Sequence, residues 1–232
     1  MLTNYNNNPN VNVNFRWSGV THRAITEAAT NAFNGRFYNN TSNVKFDVHT
    51  ISNVCSKLDH ERHVPHSHSA DIDKFQSGDA FDTFYQYDRK IRTDIKGKKY
   101  DGLDNLIGRA LHYVQDMATP PHARDYLTDI PSQTDKRIHF QIENDAKSLQ
   151  NKAIPLAKAK GENTTVNFDT LLKNKMKESK AIREEITELS ANPTRENKKK
   201  IEKLEIQSLE NTYEVTFKYL RELGKLKQAN EK

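Results

Sequence analysis

Two pairs of ligand-type side chains, each spaced four residues apart, constrain this chain more than any other feature. The first stretch reads HYVQDMATPPH from His112 to His122, and after sixteen further residues HFQIE runs from His139 to Glu143. On a helix, residues four apart stack on one face. His112 with Asp116, and His139 with Glu143, can therefore each close on one ion as a clamp. Imidazole and carboxylate together suit zinc, with ligand atoms at roughly 2.0–2.2 Å. Both pairs need helices to work, so the expected class is all-α.

A single HxxxD on a helix is most often a surface hydrogen bond, so the surroundings decide. Leu103, Ile107, Ala110, Leu111 and Val114 form an apolar stripe at helical spacing. His112 and Asp116 fall on the opposite side, beside Asn105 and Arg109, on a face that would ordinarily meet solvent. Thr119-Pro120-Pro121 ends the helix, because proline lacks the amide donor and the residue before it avoids the helical region. The chain must turn there, which returns His122 toward the helix end. A second helix, roughly 134 to 150, buries Ile138, Ile142, Ala146 and Leu149 and leaves His139 and Glu143 on an adjoining face.

The 232 residues suffice for one sizeable domain, and a hydrophobic fraction of 34% demands an economical core under a charged surface. The net charge of +5 favours phosphate-bearing partners, lipid or nucleic acid, without choosing between them. Cys55 is the chain's one cysteine, which excludes an intrachain disulfide and a CxxC site. No apolar run approaches a membrane span, and the first residues lack the basic and apolar regions of a signal peptide.

Residues 1–16 hold seven Asn and read as a disordered lead-in. Trp17-Ser18-Gly19-Val20-Thr21-His22 then opens a helix with Ile25, Ala28, Ala29, Ala32 and Phe33 inside. A lone His at such a start is most often a cap or a surface residue. Residues 36–58 suggest loops with a short helix. The segment from Asp59 to Asp73 packs four His and three Asp into fifteen residues, a density that also suits a metal-sticky loop of low specificity. Helices are expected from about Asp79 to Ile95, from near Asp101, at 169–190 and at 196–224, with a loop at 153–167 around Pro155 and Gly161. The last two helices carry alternating Lys and Glu and form a charged helical hairpin over 174–206. No GxGxxG, P-loop or GxSxG motif occurs.

The HYxxDxxxPxH pattern followed by a helical HxxxE resembles the bacterial zinc-dependent phospholipases C. The related single-strand-specific nucleases usually close with HxxxD, so Glu143 tips the resemblance toward the phospholipases. It implies a single helical domain over 17–232, holding two to three Zn2+ between helices. In that scheme Asp116 bridges two zincs. One is also held by His112, Asp59 and His68 (with His66 as rival), the other by Trp17 and His22. A third rests on His122, His139 and Glu143. Asp59 doubles as the catalytic general base. Trp17 would be the mature N-terminus, with residues 1–16 removed.

The implied activity is hydrolysis of phospholipids at a membrane surface to diacylglycerol and a phosphorylated headgroup, by a secreted monomer. Two alternatives stay open: a single-strand nuclease with the same metals, and a non-catalytic helical binding module with a degenerate site.

Overall fold

The computed structural model describes residues 19–37, 44–58, 79–122, 133–161 and 165–231. Among them the chain forms seven helices and no strand: α1 (Gly19–Phe37), α2 (Val48–Lys57), α3 (Asp79–Lys96), α4 (Leu103–Met117), α5 (Gln133–Gly161), α6 (Phe168–Ala191) and α7 (Arg195–Glu231). The all-α class expected from the paired ligands is the class observed. No helix among the described residues is long and apolar enough to cross a membrane.

The longest helix, α7, is the axis against which α1, α3, α4, α5 and α6 all pack. Leu209, Tyr213, Phe217 and Leu220 on this helix are buried to 1% exposure or less. The helix continues beyond the expected stop near residue 224. Leu223 is fully buried, and the Asn230 amide donates to the Ile95 carbonyl at 2.7 Å, tying the last turn to the end of α3. Midway, the Tyr219 hydroxyl donates to buried Asp88 at 3.0 Å. Arg92 supports the same carboxylate through two contacts of 2.9 and 2.8 Å.

The expected loop at 153–167 is a correction: α5 runs on through Pro155 to Gly161. Proline forfeits one amide donor inside a helix. Yet Ala146, Leu149, Ala153 and Ala157 recur every three or four residues and are all buried. Packing of that face, chiefly on α7 and α1, outweighs the local preference. Helices α6 and α7 form the charged hairpin, turning at 192–194, and Ile182, Ile186 and Ile201 join Ile142 of α5 in a small apolar cluster of their own.

Helix α2 is sandwiched between α1 and α4. Its entry is fixed twice. The Asn34 side chain takes both the amide (3.1 Å) and the carbonyl (2.9 Å) of Phe46, and Asp47 caps α2 by accepting from the amides of His49 (3.0 Å) and Thr50 (3.3 Å). Gly108 lets α4 approach closely: a Cβ there would lie 2.7 Å from the Ile51 carbonyl oxygen and 2.8 Å from the Val54 Cβ.

Candidate metal centre

The second half of α4 is buried on every side. The apolar stripe of Leu111, Val114 and Met117 is covered as expected, but His112 and Gln115 are also 0% exposed, and Asp116 1%. The face expected to meet water is instead roofed by α1 and α2. A buried carboxylate beside buried imidazoles is costly unless each is compensated, so this arrangement calls for a cation.

Helix α1 contributes His22, fully buried one turn after its start. The His22 Nε2 lies 3.4 Å from Asp116 Oδ1, and His112 Nε2 lies 3.3 Å from Asp116 Oδ2. The imidazoles of His22 and His112 face each other with centroids 4.6 Å apart. Past the Pro-Pro corner, His122 returns its Nε2 to 3.9 Å from Asp116 Oδ1. The turn is closed by the His122 amide donating to the Thr119 carbonyl at 3.2 Å and by the Thr119 hydroxyl donating to the Asp116 carbonyl at 2.8 Å. Three rings from two helices and a turn thus aim one type of nitrogen at one carboxylate.

Those separations exceed good charge-assisted hydrogen bonds of about 2.7–2.9 Å. The His22 and His112 distances match the edge of a tetrahedron around zinc, where ligands at about 2.0–2.1 Å from the ion stand about 3.3–3.4 Å from each other, while His122 stands farther off. The opposite ring nitrogens are also held. The His22 Nδ1–H donates to Gln115 Oε1 at 2.8 Å, and the Gln115 amide nitrogen donates to the Thr26 hydroxyl at 2.8 Å, which fixes the amide's orientation. The His112 Nδ1–H donates to the Cys55 carbonyl at 3.0 Å. Second contacts of this kind orient a ligating His and leave Nε2 for the metal.

Burial disfavours the His22 cation, but the neighbouring Asp116 carboxylate, with smaller help from Cys55, outweighs it and raises the imidazole well above 6.5. The Cys55 thiol is fully buried. Burial pushes it up, but hydrogen bonds to His112 and His22 more than offset this and hold it below its ordinary 9.0.

Of the residues expected from sequence, His22, His112, Asp116 and His122 come together. Trp17, Asp59, His66 and His68 lie outside the described residues. His139 and Glu143 sit on α5, four apart as expected, with their side chains outside the described set. Two participants were not expected. Gln115 precedes Asp116 and has no motif of its own. Cys55 reads as core because it follows Ile51 by one turn on the buried face of α2, yet its sulfur and one nitrogen each of His22 and His112 lie within 4.8 Å of one another, close enough to hold a metal ion.

The fold defined by these helices is that of the clostridial alpha-toxins. The chain matches the crystal structure of alpha-toxin from an avian strain of Clostridium perfringens with a TM-score of 0.70 at 15% identity, covering 92% of this chain and 65% of that one. Alpha toxin from Clostridium absonum matches with a TM-score of 0.62 at 14% identity, covering 90% and 64%. The chain thus spans just under two thirds of the length of these structures. No family model matches it, and no curated protein matches it in sequence. At such identity the fold is what is shared.

Proposed function

We propose that the chain is a zinc-dependent phosphodiesterase of the phospholipase C type, hydrolysing phospholipids at a membrane surface to diacylglycerol and a phosphorylated headgroup. The observation that carries this reading is the Asp116 carboxylate, with imidazole nitrogens of His112, His22 and His122 at 3.3, 3.4 and 3.9 Å. Its two oxygens face different rings, Oδ2 toward His112 and Oδ1 toward His22 and His122. That division suits a bridge between two ions. His139 and Glu143 would complete a third position from α5, and Trp17, Asp59 and His68 would supply the rest of the first two.

Zinc bound there would neutralise the phosphodiester, lower the pKa of a bound water toward 7 and stabilise the leaving oxygen. The chain's own contribution is to hold ligands in place before substrate arrives. Gln115 and the Cys55 carbonyl keep His22 and His112 in the tautomer with Nε2 toward Asp116. Asp59 is assigned the general base that takes the proton of the attacking water. The net charge of +5 favours approach to a phosphate-bearing surface. Secretion and a monomeric state belong to the same proposal.

The test is metal content measured with activity. The purified protein, reconstituted with zinc at neutral pH, is expected to hold at least two ions and to hydrolyse phosphatidylcholine. Less than one zinc per chain would overturn the reading. Cleavage of single-stranded DNA but not of lipid would move the substrate to nucleic acid, and zinc without either activity would leave a binding module.

A further inference from the structure

A second cluster of oxygen ligands lies away from the His-rich centre, where α5 crosses α7. Gln141 and Asp145 stand four apart on α5, and Glu202 and Glu205 three apart on α7, so each pair shares a helix face. All four line one cavity of about 410 Å³. The Asp145 carboxyl stands beside Glu205 and Gln141. Glu205 is only 3% exposed, and its Oε1 has no hydrogen-bond partner.

A buried carboxylate in this position must be compensated by a proton or by a cation. Burial, followed by the charge and hydrogen bond of Asp145, raises Glu205 to about 9. Lys152 reaches the cluster only at its rim, where it pairs with Glu202 at 2.7 Å and remains 63% exposed. Lys198 also lines the cavity. Among the described residues neither pairs with the Glu205 carboxylate.

We propose that Asp145, Glu205, Glu202 and Gln141 form a site for a hard divalent cation, of the calcium or magnesium class, that bridges α5 to α7. The chemistry selects the class. Every donor is a carboxylate or amide oxygen, with no imidazole or thiol, and such sets suit Ca2+ or Mg2+ completed by water rather than zinc. Two ligands from each helix make the ion a cross-link between elements far apart in sequence. The site is independent of the phosphodiesterase reading and stands or falls without it.

Thermal unfolding of the zinc-loaded full chain at pH 7.5, with CaCl2 or MgCl2 titrated to millimolar concentration, tests the site. The melting temperature is expected to rise saturably, by about 5–10 °C at a hundredfold excess over Kd. Glu205→Gln and Asp145→Asn are expected to remain folded, because each removes a buried charge while keeping shape, and to lose the rise. Zinc content measured on the same samples keeps the two centres apart. No saturable rise in the unaltered chain would mean that Asp145 and Glu205 simply share a proton, and would overturn the proposal. So would a rise of the same size in Glu205→Gln.

Discussion

At the scale of single residues, Asp116 and Gln115 separate ligation from positioning. Asp116 faces three imidazoles, so Asp116→Asn is expected to leave less phosphodiesterase activity than Glu143→Gln, which in the proposed scheme serves one ion position. Equal residual rates, measured at matched zinc loading, would argue that Asp116 does not bridge. Gln115 touches His22 only through Nδ1. Gln115→Leu strands a buried donor at a cost of about 1–3 kcal/mol and is expected to weaken zinc binding about 10–100-fold. Zinc affinity measured by competition with a chelator checks this. The motif residues were legible because helical spacing alone aligns His112 with Asp116 and the Pro-Pro corner returns His122. Gln115 and Cys55 were not, because their roles depend on Thr26 and His22 arriving from α1, about ninety positions from Gln115 and about thirty from Cys55, contacts that no local pattern encodes.

At the scale of elements, α2 is the part on which the site's second contacts depend. Its buried face presents the Cys55 carbonyl to His112, and its start is held by Asp47. Asp47→Ala is expected to cost about 1 kcal/mol. The Thr50 hydroxyl and amide and the His49 amide all lower the Asp47 carboxyl below 3.8. A depressed acid stabilises the fold above its unfolded pKa and loses that contribution as pH falls through the folded one. The two proteins should therefore converge in stability below about pH 4, as denaturant melts across pH would reveal. Gly108→Ala pushes α2 from α4 at the Ile51 carbonyl and is expected to cost about 1–3 kcal/mol. It should also reduce zinc affinity, since α2 cannot move without carrying the Cys55 carbonyl away from His112. The same scale marks where sequence reading fell short. Pro155 and Gly161 look like a loop, but the alanine face of α5 becomes decisive only once α7 lies against it.

At the scale of the whole molecule, the centre joins α1, α2 and α4 at a buried point, so under the proposed zinc reading stability and metal occupancy are one quantity read in two ways. Without zinc, His22 has Asp116 as its charge partner and is raised well above 6.5. A raised base stabilises the fold fully below its unfolded pKa, and that contribution disappears as pH rises through the folded value. The chelated protein should thus lose stability as pH climbs from about 6.5. The zinc-loaded protein should behave in the opposite sense over the same window, because ligands must be deprotonated to bind and metal affinity grows with pH. The gap in melting temperature between zinc-loaded and chelated samples is therefore expected to widen from pH 6 to pH 8.5. In His22→Gln the chelated form should lose part of that pH dependence, since one of the three imidazoles beside Asp116 is gone while a polar side chain remains. A gap independent of pH would mean that zinc binds away from His22, and that the ring serves only as a packed hydrogen-bonding group of α1.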